Sequence, residues 1–337
     1  LLRHLVDLYF ACMNVFFALL HRPTFESALA SGLHYSDERF ARVVLLVCAV
    51  GSRHSRDTRV TYGNTGSWAS SGWAWFSQVD VYQRSVLHKP SLYNLQAICL
   101  YVLYMQGCSL VEESWPLVGI AIRLVQSVGA HRRKVYGAQL TVNDELWKRA
   151  FWSLSRCLIW LDRMMGFSFG RPCAVHEEDI DLDLPIECDD EYWICPETNK
   201  PYFQQPKDKP SKLSFFVCIV KLNELLGYAL RTVYSINKTK VPRVFVPETM
   251  VTEFDSLINN WMDSVPAHLR WDPNRNDETF FAQSATLMSL YHHFRILSHH
   301  PFVPSGGDMS AVSQMCILTC VNAARSCAHI SDVQIRR

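Results

Sequence analysis

The sequence predicts an all-α fold, a single multi-helix domain interrupted by one long irregular arm. Three observations carry this. Apolar residues recur at helical spacing along almost the whole chain. Most of these stretches are bounded by residues that start or stop helices. The segment closest to a strand, VPRVFVP at 241–247, is broken by its own prolines. With 337 residues and 49% hydrophobic content, a chain of this size buries about 75% of its unfolded surface. It needs neither disulfides nor a metal to fold.

In chain order, residues 3–20 place Leu5, Leu8, Tyr9, Cys12, Phe16, Leu19 and Leu20 on one stripe, which Pro23 ends. A short helix is expected from Thr24 to about Ala30, with Gly32 behind it. Ser36 is a suitable N-cap for the next, with Asp37 and Glu38 where the helix dipole favours acids. That helix runs to about Val50 and Gly51, and 52–71 is a polar loop. Further helices are predicted at 72–88, at 91–106 behind Ser91, and at 114–128, where Pro116 is tolerable in the first turn and Gly129 closes the end. Thr141 opens a long helix over 142–165. From Gly170 to about Pro210 the chain is rich in Pro and Asp and reads as an arm crossing the surface. Helices resume at 211–235, 248–264, 278–299 and 309–332. The organisation is therefore one domain over 1–337, with an N-terminal half at 1–169, the arm at 170–210 and a C-terminal helical half at 211–337.

Composition excludes several function classes. The 33 Lys and Arg balance 32 Asp and Glu for a net charge of +1, unlike the basic face of a duplex-binding module. Twelve cysteines are present, but none forms a CxxC pair, so a zinc finger or ribbon is not expected. Most lie in apolar runs, as Cys48 and Cys99 do, where a thiol acts as a small buried hydrophobe. This composition suits a reducing compartment, nucleus or cytosol. The stretch from Ala97 to Met105 is too short to span a bilayer, and Asp7 and Asn14 spoil the first apolar run as a signal peptide. Without an initiator Met, the chain reads as a piece of something longer.

No GxSxG elbow, phosphate-binding loop, HExxH or GxGxxG is present. Three features invite chemistry. His292, His293, His299 and His300 lie near Cys316, Cys320 and His329 in sequence; a metal site across two helices competes with histidines that cap a helix end (His299, His300) or face solvent (His292, His293). The acids Glu177, Glu178, Asp179, Asp181 and Asp183 lack EF-hand spacing and fit a capped surface segment. Arg22-Pro23, Arg171-Pro172 and His300-Pro301 each place a cation and a stop near the end of an apolar helix. Asp162 is expected to pair with Arg171, Arg163 or Arg123; if buried, losing a partner would cost about 3–5 kcal/mol. Two aromatic groups, Trp68, Trp73, Trp75 and Phe76 beside a Ser- and Gly-rich loop, and Trp193, Tyr202 and Phe203 in the arm, suit either core or a pocket.

These blocks resemble a known family. The segment 92–134, with Trp115, Gly119, Ala121, Arg123, Gly129, His131 and Arg132, is similar to the middle-homology region of fungal transcription factors that carry zinc binuclear-cluster DNA-binding domains. The segment 145–185 resembles the same family through Arg149, Phe151, Trp152, Asp162, Arg163, Gly170, Arg171, Pro172, Asp181 and Pro185, as does HRPTF at 21–25 through Arg22 and Pro23. The helix at 287–302 is similar too, with His300 where the family has Arg. The resemblance implies a nuclear regulatory domain that controls RNA polymerase II transcription by autoinhibition, effector sensing or coactivator contact. It implies no catalytic or metal residues here, since the six-cysteine cluster holding two zinc ions is absent and would lie upstream. Expected partners are that DNA-binding domain, coactivators or a second subunit, including a homodimer, and a small-molecule effector; DNA is met only through the missing domain, and no membrane is expected. A ligand-free assembly scaffold is the alternative. An enzyme built on His131 and Asp162 is the remaining one.

Overall fold

The computed structural model describes residues 1–63, 67–81, 90–108, 111–137, 139–154, 179–195, 198, 200–234, 247–304 and 310–337. Asp162, Arg163, Gly170, Arg171 and Pro172 lie outside them, as do Cys157, Cys173, Glu177 and Glu178 and the expected Asp162 pairing. The structure is all-α. Among the described residues no strand forms, only two isolated bridges, Arg132 with Asp181 and Ile194 with Pro201. Two compact units are present, the first reaching Phe216 and the second beginning, among described residues, at Val217.

The first unit opens with α1, which is α-helical over Leu2–Leu8, π-helical over Tyr9–Asn14 and α-helical again over Val15–Phe17. The π turn inserts an extra residue into the helical repeat, so the buried face steps from Tyr9 to Asn14 and leaves Cys12 and Phe16 only half-buried. That corrects the stripe expected from even spacing. Ala18 ends the helix in the left-handed region at φ 46°, a conformation uncommon for any residue with a Cβ. Asn14 holds the turn: its Nδ2 donates to the Leu20 carbonyl (2.9 Å) and its Oδ1 accepts from the Leu20 N–H (3.0 Å).

Helix α2 covers Arg22–Ala30 and α3 covers Glu38–Ser52. The α3 cap is Asp37, not Ser36: its carboxylate accepts from the Arg39 N–H at 2.9 Å. The loop behind it is not all solvated, because Val60 is buried against Leu5 and Cys48. Of the helix predicted over 72–88, the described residues form α4, Trp73–Phe76; residues 77–81 leave helical geometry and 82–89 are outside the described set. Burial replaces periodicity there, since Phe76 stacks on Tyr101 and Tyr104, each at 4.3 Å. Helix α5, Leu92–Gln106, begins at the expected Ser91, which forms a reciprocal capping box with Asn94. Helix α6, Val111–Ser127, starts three residues before its expected position and carries Pro116 inside. Gly129, at φ 75°, closes it as anticipated. Thr141 exchanges hydrogen bonds with Asp144 (3.0 and 3.1 Å) at the head of α7, whose described part is 142–154.

The arm is only partly the surface crossing expected. Asp179, Asp181 and Asp183 are exposed, but Leu182, Cys188 and Trp193 are buried, Trp193 completely.

In the second unit α8 (Ser214–Val233, whose first turn belongs to the first unit) is followed by α9 (Pro247–Ser264), α10 (Glu278–His299) and α11 (Ala311–Arg336). Trp261 Nε1 donates to the Cys218 carbonyl (2.9 Å), and the Tyr234 hydroxyl donates to that of Leu297 (2.8 Å). Helix α11 buries Cys316, Ala323 and Ile330, one side chain every seven residues, against α10. No disulfide forms among the ten described cysteines, and no described helix is long and apolar enough to cross a membrane.

One contact sets the spacing of α1 and α3. A Cβ on Gly51 would lie 2.2 Å from the Leu5 carbonyl oxygen, backbone on backbone, with no flexible side chain to yield. Gly51→Ala is therefore expected to destabilise the chain by about 3 kcal/mol, read as a lower urea midpoint at unchanged slope.

Candidate functional site

Three segments far apart in sequence meet in the first unit. His21 caps α2 from an extended backbone, and its imidazole lies flat on Trp193 with ring centroids 4.2 Å apart and planes 12° apart. From α7, the Arg149 guanidinium faces the same indole at 4.2 Å. It also donates to Asp190 Oδ1 at 2.8 Å and to the Cys188 carbonyl at 3.2 Å. The Cys188 carbonyl takes a second bond from Trp193 Nε1 (3.1 Å), and Asp190 Oδ2 takes one from the Arg22 N–H (2.8 Å). One turn earlier on α7, buried Glu145 accepts from the Ile186 N–H at 2.9 Å. On the arm's far side Asp189 accepts from Ser211 Oγ (3.0 Å) and the Lys212 N–H (2.9 Å). The described arm is thus clamped by groups from the start of α2, from α7 and from the residues just before α8.

The partners fix the protonation of this clamp. His21 Nε2 faces the Asp190 carbonyl at 3.0 Å, an acceptor only, so Nε2 carries the hydrogen; Nδ1 then accepts from Thr24 Oγ1 at 2.7 Å. Burial lowers the His21 pKa, against the opposing pull of Asp190, which keeps the ring neutral. Burial pushes the Glu145 carboxyl above its ordinary range, with Arg149 and the Ile186 N–H opposing. Its Oε2 has no hydrogen-bond partner among the described residues. The Cys188 thiol is pushed up to about 11 by burial, which leaves it inert as a nucleophile.

Beside the clamp is a cleft of about 520 Å³, within the range of small-molecule sites. Its walls come from four segments: Phe25 and Ala28 on α2, Phe40 on α3, Tyr93 and Gln96 on α5, and Leu146 and Trp147 on α7, with Asp37 and Arg39 also at its edge. His21 belongs to both features, lining the cleft and stacking on Trp193. Neither aromatic group singled out from sequence lines this cleft: Trp68 and Tyr202 are exposed, and Phe76 and Trp193 are buried elsewhere.

A family model described as "Fungal specific transcription factor domain" matches residues 6–263. The chain belongs to that family. It is similar to a transcriptional regulatory protein of Saccharomyces cerevisiae (25% identical, over 80% of this chain and 35% of the relative). Cutinase transcription factor 1 alpha of Fusarium vanettenii is 26% identical over 90% of this chain and 31% of its own length. Activator of stress genes 1 of Saccharomyces cerevisiae is 24% identical over 65% and 22%. The chain therefore spans about a third or less of these relatives. They are transcription factors, not enzymes. No solved structure matches.

Several residues of the family resemblance meet in the domain. Arg22 pairs with Asp7 and with Glu26 (2.7 Å), and Pro23 occupies the first turn of α2. His131 is buried, which lowers its pKa, and its carbonyl accepts from the Asp181 N–H at 3.0 Å. Arg132 bridges to Asp181, and Trp152 Nε1 donates to the Asp183 carbonyl at 2.9 Å. Phe151 and Trp152 are buried and meet edge to face, and Pro185 is buried. Three others stand apart from the clamp. Trp115 is half-buried, Gly119 has nothing within 4 Å of where a Cβ would be, and Arg123 is exposed and bonds Gln126 at 3.2 Å. The His131 and Asp162 pair lies partly outside the described residues. Against expectation His292 is buried and His293 half-buried. His299 is fully buried, with Nδ1 bonded to the Arg295 carbonyl at 2.8 Å, and His300 is exposed. Among the described residues no group of three or more His, Cys, Asp or Glu is placed to hold a metal.

Sequence reasoning missed His21, Glu145, Cys188 and Asp190. The available signal was the charged pair Glu145 and Arg149, one helical turn apart beside Phe151 and Trp152.

Two outcomes follow from the clamp. Arg149→Ala should cost about 3 kcal/mol, from the part-buried Asp190 carboxylate left without its counter-charge, measured by urea unfolding. Glu145→Gln keeps an acceptor for the Ile186 N–H while removing the buried acid. Because burial raises the folded-state pKa, the parent loses stability as pH rises through the ordinary carboxylate range, where only the unfolded chain ionises. The variant should therefore melt above the parent at about pH 7, and the two should converge near about pH 4; calorimetry across that interval checks the sign.

Proposed function

We propose that this domain is the regulatory body of a fungal zinc-cluster transcription factor, acting in the nucleus on RNA polymerase II transcription, and that it acts as a sensor. A DNA-binding domain outside the chain, with two zinc ions of its own, would make all contact with DNA; coactivators would be met by the protein as a whole. The observation that carries this reading is the sharing of His21. One ring both lines a ligand-sized cleft and stacks on the clamped arm, so an occupant touching it acts directly on the arm's packing. Differential contact of this kind is what lets a ligand shift an equilibrium between two arrangements.

A second reading rests on a different observation. Helix α11 leaves Met315, Leu318 and Val321 exposed opposite its buried stripe, which supports an assembly surface for a second copy of this chain.

A reporter separates the two. Joined to a heterologous DNA-binding domain and activation segment, the domain should impose a transcription level that Ala28→Trp, which fills the cleft from a half-buried position, changes severalfold without changing the melting temperature. Output unchanged by Ala28→Trp but altered by Leu318→Glu would overturn the sensor in favour of assembly.

A further inference from the structure

The cleft's polar inventory specifies its ligand. Most of its wall is apolar and aromatic, with Phe25, Phe40, Leu92, Leu146 and Trp147 exposing carbon to it. Its charged groups and two of its hydroxyls are engaged. Arg39 donates through Nε and NH2 to the two oxygens of Asp37 at 3.0 and 3.1 Å, and its N–H caps the same carboxylate. Thr24 Oγ1 is bonded to His21, and Ser91 Oγ to Asn94 Oδ1 at 2.5 Å. Asn143 is exposed and Tyr93 and Trp147 are half-buried, so water satisfies what they leave open. Gln96 differs in being only 3% exposed while lining the cleft, and no side chain among the described residues bonds its amide. A polar group bound in the cleft would give that amide its partner.

The geometry points to a site for an uncharged, mainly apolar molecule of aromatic or fused-ring type bearing one carbonyl or hydroxyl, which Gln96 reads. This deepens the sensor reading and rests on it. An ionised ligand is disfavoured because no unpaired charge awaits it: Asp37 and Arg39 neutralise each other, and a charge entering alone would lose its hydration without replacement. The lowered pKa of His21 agrees, since a neutral ring with both nitrogens engaged offers no cation.

Benzophenone tests this directly, being neutral, apolar, furnished with one carbonyl and able to mark its neighbours under light. The chain is irradiated with benzophenone or with 4-benzoylbenzoate, the same skeleton carrying a carboxylate, and labelled peptides are mapped by mass spectrometry. Expected are saturable labelling of the peptides holding Phe25, Leu92 or Leu146, at least tenfold less label from the carboxylate, and loss of label in Ala28→Trp. Gln96→Leu should raise the half-saturating benzophenone concentration about tenfold. Circular dichroism establishes that both variants are folded, and Ala28→Trp, at a half-buried position, keeps the test open should Gln96→Leu unfold. Equal labelling by the two probes, labelling elsewhere, no labelling, or indifference to Ala28→Trp or to a folded Gln96→Leu would overturn the assignment. Should labelling fail while the reporter still responds to Ala28→Trp, the ligand class is wrong and the sensor stands. Failure of both removes the sensor as well.

Discussion

The guanidinium of Arg149 organises the first unit. A cation that is 2% exposed has lost most of its hydration, and it is tolerable only where the protein supplies replacements in the right directions. Here they are the Asp190 carboxylate, the Cys188 carbonyl and the Trp193 ring. Because Asp190 also accepts from the backbone of Arg22 and its carbonyl meets His21, satisfying one cation fixes the start of α2, the middle of α7 and the arm together. The cleft inherits its shape from the same arrangement, since His21 and Leu146 form part of its wall and each belongs to a segment that Arg149 holds.

What the sequence made legible was what local chemistry decides. Ser91 with Asn94, Thr141 with Asp144 and Gly129 at a left-handed turn each mark a helix end through neighbours a few residues away, and those ends were placed well. So was α10, whose bounds match the expected 278–299. The failures are non-local. Residues 77–81 carry an apolar pattern but pack without helix. The arm's prolines and acids resemble a surface segment, yet Cys188 and Trp193 are buried because α2 and α7 supply their partners. Periodicity says nothing about such partners.

The candidate site was less legible than the fold for the same reason. Gln96 reads as one polar interruption in an apolar helix, and His21 as the first residue of HRPTF. Only the convergence of four segments gives the first a vacant bonding direction and the second two neighbours to join. Of the residues that carry the family resemblance, Arg22, Trp152 and Asp181 contact the clamp or the stretch of arm leading into it.

The π turn at Tyr9–Asn14 has a consequence for how sequences of this kind can drift in length. Removing a single residue there would convert the turn to ordinary α-helix, with Tyr9 and Asn14 four residues apart and still on one face. Asn14 would keep its direction toward Leu20 across the left-handed turn, and His21 its direction toward the arm. In the ordinary α-helical part of the same helix a deletion would instead turn everything after it by about 100°, so the π turn is a stretch in which length can change without rotating the clamp.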